Sequence, residues 1–325
     1  MIDFNTKSNE FLELIENKLL ETINQTKPIS LKDPFEYLIR NGGKRIRPLL
    51  TMITCGLVGG KPINAMQYGV AIEILHNFTL VHDDIMDSSP IRRGKPTVHK
   101  KWDIPTGILV GDVMIGYACR LMPKGNDLKN VEKMQSLFMN SLVIVCEGQA
   151  FDMEYNFRKD ITVDNYLDMI GAKTANLIRT SVLMGAYTGN ANDNMIEILD
   201  DLAYSMGIAF QIQDDYLDLQ GEQDFGKVKG QDIVEGKKTY MIIRTNQVAD
   251  KNRELIDRFY DENGLPQELV KEMVDTIDSL GILKEAKEMY EKYYERAYDA
   301  LYALPQNEYT DMMRWLLDKM KNRNS

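Results

Sequence analysis

Residues 76 to 99 read His76-Asn-Phe-Thr-Leu-Val-His-Asp-Asp-Ile-Met-Asp-Ser-Ser-Pro-Ile-Arg-Arg-Gly-Lys-Pro-Thr-Val-His99. An apolar run ends in three aspartates, Asp83, Asp84 and Asp87, and a loop then supplies Arg92, Arg93 and Lys95. The pattern predicts a helix over residues 65 to 87. On it Asp83 and Asp87 share a face, about 6 Å apart along the axis. Like charges at that spacing cost an isolated helix roughly 0.2–0.5 kcal/mol. A cation between them removes the cost, and carboxylates combined with substrate phosphates are the usual way of holding Mg²⁺. The arginines suit phosphate oxygens. Taken alone, the motif is equally a solvated acidic helix end.

The tie is broken 131 residues later, where Gln211-Ile-Gln-Asp-Asp-Tyr-Leu-Asp218 repeats the DDxxD pattern after another apolar lead-in. Gln211, Asp214, Asp215 and Asp218 fall within one stripe of a helical wheel. Glycines and lysines follow: Gly226-Lys227, Lys229, Gly236-Lys237 and Lys238. Two acidic helix ends, each followed by a cationic glycine-bearing loop, are expected to face each other across a cavity and to share metal ions and an anionic ligand. Upstream, Asn41-Gly-Gly-Lys-Arg-Ile-Arg-Pro48 places three cations before a proline suited to open a helix. Helix-start N–H groups with flanking cations form an anion site, and the stretch lacks the spacing of a Walker A loop. His76 lies two turns below Asp83. Gln149 and Asp152, three apart near the end of a helix over 129 to 157, could enter a polar cavity or simply meet solvent. Lys173 and Thr174 sit inside a helix opened by Thr162, where the lysine either snorkels or meets a phosphate.

Composition narrows the class. Of 325 residues, 44% are hydrophobic, enough for a large core, and the net charge of −10 opposes a broad nucleic-acid-binding face. Cys55, Cys119 and Cys146 form no CxxC pair, so buried free thiols in a reducing, cytoplasmic setting are expected. No signal peptide is evident and no run reaches the ~18 apolar residues of a membrane span. Strand-like alternation does not persist anywhere. Breaks at Gly264-Leu-Pro266, Gly281 and Pro305 divide a charged amphipathic tail, and its recurring tyrosines (Tyr290, Tyr293, Tyr294, Tyr298, Tyr302) are read as packing. The expected fold is all-α: residues 1–325 as a single large helical domain.

With GGKRIRP, LVHDDIMD followed by RRGKPTVH, GQxxD, KT, QIQDDYLD and GK…GKKT present in that order over about residues 35 to 240, the sequence resembles the trans-isoprenyl diphosphate synthases of the polyprenyl synthetase family, nearest to short-chain archaeal-type farnesyl and geranylgeranyl diphosphate synthases. The resemblance implies an isoprenoid-synthase fold with helices around a central cavity. It implies Mg²⁺-dependent head-to-tail condensation of isopentenyl diphosphate with an allylic diphosphate (dimethylallyl, geranyl or farnesyl). Three Mg²⁺ ions would be held by Asp83, Asp87 and Asp214, with Asp84, Asp215 and Asp218 in support. Arg92, Lys173, Thr174, Gln211, Lys227 and Lys237 would serve the allylic diphosphate; Lys44, Arg47, His76 and Arg93 would serve the isopentenyl one. The family sets product length at the residue five before the first aspartate, here Phe78. An ideal wheel puts Leu75 and Thr79 nearer the Asp83 face. A homodimer is expected. Two rivals are a terpene cyclase of the same fold, disfavoured by the second aspartate-rich box, and a non-catalytic helical subunit, which need not keep either box.

Overall fold

The structure, a computed structural model, describes residues 4–123, 129–220, 230–249 and 253–323. The helices follow in the order α1 (Phe4–Ile23), α2 (Ile29–Arg40), α3 (Ile46–Leu57), α4 (Pro62–Met86), α5 (Val98–Lys101), α6 (Ile104–Leu121), α7 (Val131–Tyr155) and α8 (Val163–Ile170). A π-helical turn, Gly171–Ala175, leads into α9 (Asn176–Thr188), α10 (Asp193–Gln220), α11 (Gln231–Val234), α12 (Tyr240–Val248), α13 (Arg253–Glu262), α14 (Gln267–Ser279), α15 (Ile282–Tyr302) and α16 (Glu308–Lys321). Among the described residues the only strands are β1 (Ile91–Arg92) and β2 (Lys95–Pro96), paired antiparallel. The fold class is therefore all-α, as expected.

The chain divides into two compact units, each discontinuous in sequence. The first comprises Met1–Val143, Leu177–Asp200 and Leu301–Trp315. Its centre is α4, which packs against α3 and α6. Val70, Ile72, Ile74 and Leu75 are fully buried, and Phe78 and Val81 nearly so. Close approach depends on two glycines. A Cβ at Gly69 would lie 2.8 Å from Pro48 Cα, and one at Gly111 of α6 would lie 2.2 Å from His82 Nε2. The second unit comprises Ile144–Asn176, Asp201–Ala300 and Leu316–Ser325. Here Tyr166, Ile208, Ile212, Met241 and Tyr294 are buried, and α12 packs on α8 and α14.

Some local expectations change. The sequence marks Pro28 and Pro34 as breaks before a short helical piece over 35 to 40, but α2 begins before Pro34 and carries it inside. Proline removes one backbone donor, and the buried face of the helix begins at it with Pro34, Phe35, Leu38 and Ile39. The helix opened by Thr162 is interrupted by the π turn. None of the three cysteines is in a disulfide among the described residues, yet only Cys55 is buried; Cys119 is half-buried and Cys146 exposed. An apolar neighbourhood in sequence does not say which face of a helix a residue takes. The tyrosines of α15 are mixed: Tyr290 and Tyr294 are buried, while Tyr302 is exposed. Among the described residues α6 alone is long and apolar enough, by length and composition only, to cross a membrane. It packs along α4 and α2 and carries Asp112.

Helix α7 has an unusual outer face. Met139, Val143, Cys146, Ala150 and Met153 are exposed at alternating four- and three-residue steps, and Phe157, just beyond the helix end, continues the series. That is the repeat of a coiled-coil seam, here turned outward.

Candidate active site

In the first unit the acidic box closes α4. Asp84 is buried and accepts from Arg92 Nε at 2.7 Å. Burial raises its carboxyl above the usual range, and the arginine opposes that shift. Asp83 is half-buried and Asp87, at the helix end, is exposed. The three aspartates thus separate into an inner one that anchors the following loop and two outer ones. That loop is a tight hairpin. Arg93 and Gly94 both take positive φ (53° and 72°), the geometry of a two-residue primed turn matched to strand twist. Arg92 is accordingly committed to Asp84 rather than standing apart.

Arg93 reaches the glycine-rich stretch before α3, where its Nη1 donates to the Gly42 carbonyl. Gly43, at φ 143°, lies under both guanidinium groups: a Cβ there would sit 2.7 Å from Arg45 Nη1 and 3.2 Å from Arg93 Nη1. Arg45, in the left-handed region at φ 49°, is read in the sequence only as one of three cations of an anion site and proves to be the pin of the loop. It is buried and donates to Ile39 O (2.7 Å), Gly42 O (3.2 Å), Glu16 (2.7 Å) and Glu73 (3.2 Å). Its signal was Glu73, an acid on the apolar part of α4. Arg47 differs. Its Nε is buried with no acceptor among the described residues. Burial and then the positive field of Arg47, Arg93, Arg92 and Arg45 push the His76 imidazole well below the ordinary histidine range. Burial likewise lowers Arg47 and Arg93. The fold therefore brings Arg47, His76 and Arg93 into one electropositive cluster with an unmet buried donor, which is what an anion site requires. Lys44 is exposed on the same loop.

Phe78 lies in the turn of α4 before the box and is buried. Its ring meets His82 edge-on at 4.7 Å, and His82 Nε2 lies 3.3 Å from Ile108 O. Leu75 is fully buried. Thr79 is half-buried and donates to the His76 carbonyl at 2.8 Å.

In the second unit, Asp215 is buried and accepts from Tyr166 Oη and Gln211 Nε2, each at 2.7 Å; Gln211 Oε1 accepts from Thr174 Oγ1 at 2.7 Å. Burial and the Asp232 charge raise Asp215 well above the carboxylate range, against the pull of those two donors. Thr174 and Gln211 thus form a relay that steadies Asp215. Asp214 is half exposed and meets Arg323 at 3.1 Å. The Asp232 backbone N–H donates to Asp218 Oδ2 at 3.2 Å. Asp232, unread in the sequence although it lies between two Gly-Lys pairs, also holds Lys237 at 2.7 Å, with Glu235 at 2.9 Å. Lys173 projects from the π turn to Asp152 at 2.5 Å, and π turns recur at functional sites. Gly148 permits this, since a Cβ there would lie 2.5 Å from Lys173 N. Gln149 is buried with neither amide atom partnered among the described residues. Lys227 lies outside the described residues.

Among the described residues no three His, Cys, Asp or Glu side chains gather into a metal site by themselves. Paired aspartates that are partly open to solvent fit Mg²⁺ completed by waters and substrate phosphates, not an all-protein cage.

These features define an all-α enzyme with two aspartate-rich helix ends and a separate cationic loop. The polyprenyl synthetase family model matches residues 28–277. A geranylgeranyl diphosphate synthase of Sulfolobus acidocaldarius is 39% identical over 92% of this chain and 91% of its own. A short chain isoprenyl diphosphate synthase of Methanothermobacter thermautotrophicus is 34% identical over 97% of each. The crystal structure of geranylgeranyl pyrophosphate synthetase from Pyrococcus horikoshii superposes with a TM-score of 0.91 at 32% identity, covering 98% of both chains. The chain belongs to the polyprenyl synthetase family, and so to the prenyltransferases.

Proposed function

We propose that the protein elongates prenyl chains by condensing isopentenyl diphosphate head to tail with an allylic diphosphate, giving farnesyl or geranylgeranyl diphosphate. The observation that carries the reading is the electropositive cluster of Arg47, His76 and Arg93, with its unmet buried donor, in a chain that also bears two aspartate boxes. A terpene cyclase has no call for a second diphosphate site. In this reading residues 1–325 act as one catalytic domain. Asp83, Asp87 and Asp214 hold divalent metal ions, taken to be three Mg²⁺, and Asp84, Asp215 and Asp218 keep the boxes in shape. Bound with the allylic diphosphate, such ions neutralise the charge that develops as pyrophosphate departs.

The chain's own residues bind, orient and exclude water. Lys44, Arg47, His76 and Arg93 hold isopentenyl diphosphate. Lys173, Thr174, Gln211, Lys227, Lys237 and Arg92 serve the allylic side, several through the carboxylates they already engage. Neutral near pH 7, His76 can donate one hydrogen bond without adding charge. Apolar walls keep water from the allylic cation; after the isopentenyl double bond attacks it, the proton on the carbon beside the new cationic centre passes to the released pyrophosphate and a double bond forms, so no side-chain base is needed. Phe78, with Leu75 and Thr79 beside it, sets the depth available to the tail. The outward heptad seam of α7 supports a homodimer, and the three free thiols support a cytosolic enzyme.

The test is incubation of the purified protein with Mg²⁺, isopentenyl diphosphate and allylic primers of each length, followed by sizing of the extracted product. Linear prenyl diphosphates are expected, and Asp83→Ala is expected to abolish them with the helical circular dichroism unchanged. Cyclised hydrocarbons, or full turnover by the variant, would refute the assignment.

A further inference from the structure

The last described residue, Arg323, follows the end of α16 and returns to α10 at the second acidic box. Its Nη1 lies 3.1 Å from Asp214 Oδ1. Its Nη2 donates to Phe210 O at 2.8 Å and its Nε to Gln213 Oε1 at 3.3 Å, and the guanidinium lies over the Phe210 ring at 3.9 Å. Gln213 is itself held, accepting from Tyr294 Oη at 2.8 Å and donating to Lys321 O at 2.7 Å. The pair is asymmetric. The Arg323 side chain is 9% exposed and fixed by contacts that do not involve Asp214, whereas the Asp214 side chain is 49% exposed.

We propose that Arg323 is a positioning residue for Asp214: a resident cation that occupies this carboxylate and makes the second box refuse a bare divalent metal while favouring one that arrives with a diphosphate. The inference rests on the reading of Asp214 as a metal ligand. Its physical basis is charge. A fixed guanidinium beside the carboxylate repels a free cation and competes for the same oxygen, yet it attracts the oxygens of a phosphate, for which its planar fork is suited. A C-terminal pin with no other role would lower every affinity of the box when removed. A resident counter-ion gives opposite signs for metal alone and for metal with pyrophosphate.

Mn²⁺ binding to the full-length protein, measured by calorimetry with Mn²⁺ alone and again with inorganic pyrophosphate, tests this. Arg323→Gln should bind Mn²⁺ alone on the order of fivefold more tightly, the scale of a partly exposed ion pair, and should gain less affinity when pyrophosphate is added. Arg323→Lys, which keeps the charge, should stay near the parent. A chain ending at Asn322 should behave as Arg323→Gln does, which covers the case of a poorly folded point variant. Unchanged or weaker binding of Mn²⁺ alone in both Arg323→Gln and the shortened chain would overturn the proposal. An Asp214→Asn variant that binds Mn²⁺ as the parent does, with and without pyrophosphate, would instead remove Asp214 as a metal ligand, and this inference with it.

Discussion

Arg45 and Arg47 stand two apart in one basic stretch and do opposite things. Arg45 is spent on structure: it is buried with Glu73, whose side chain is 4% exposed, and it closes the loop through two backbone carbonyls. Removing one partner of a buried pair leaves the other uncompensated, typically at 3–5 kcal/mol. Arg45→Met should therefore lower unfolding free energy by about 3 kcal/mol, read as a shift in the urea midpoint, and Glu73→Gln in the same chain should recover part of it. The run Gly-Gly-Lys-Arg-Ile-Arg shows cations near a helix start but not this division, because only the fold puts Glu73 in hydrogen-bond contact with one guanidinium and leaves the Nε of the other without an acceptor among the described residues. Phe78 is the second case. Helical spacing puts it off the Asp83 face, and its ring meets His82 of the same helix. Phe78→Ala should empty that flank and lengthen the product, seen by chromatography of the dephosphorylated prenols; an unchanged length would take Phe78 out of the role.

At the scale of elements, most helix ends were legible where capping chemistry marks them. Thr162 caps α8 through Asn165 in a reciprocal box, and the breaks at Gly264-Leu-Pro266, Gly281 and Pro305 fall between α13, α14, α15 and α16. Spacing of 3.6 residues per turn cannot reveal a local change to a π turn, so the site of Lys173 was not. That turn is wedged between neighbours: a Cβ at Gly148 of α7 would meet Lys173 N at 2.5 Å, and one at Gly207 of α10 would meet Ala175 Cα at 2.5 Å. Gly148→Ala has no room without backbone movement. It should cost about 1–3 kcal/mol, as overpacking does, and displace Lys173 from Asp152. A thermal melt and a steady-state assay together check it, with kcat expected to fall further than the stability loss explains.

For the whole molecule, the exposed seam Met139, Val143, Cys146, Ala150, Met153 is the feature that composition hides. Val143→Asp places a charge within the seam of the proposed homodimer and should shift sedimentation from dimer to monomer at micromolar concentration; a parent chain that sediments as a monomer would refute the proposed dimer. Fold class, the two acidic boxes and the cationic loop were determined by sequence alone, because helical periodicity and motif order are local properties of the chain. Tertiary structure decided which partner each charged group engages (Asp84 with Arg92, Asp215 with Tyr166 and Gln211, Lys237 with Asp232, Asp214 with Arg323) and which donor is buried without an acceptor among the described residues, Arg47 Nε. The reason is physical. A charge's partner is chosen by desolvation and by what the folded chain brings within about 3 Å, and no spacing along a single helix carries that information.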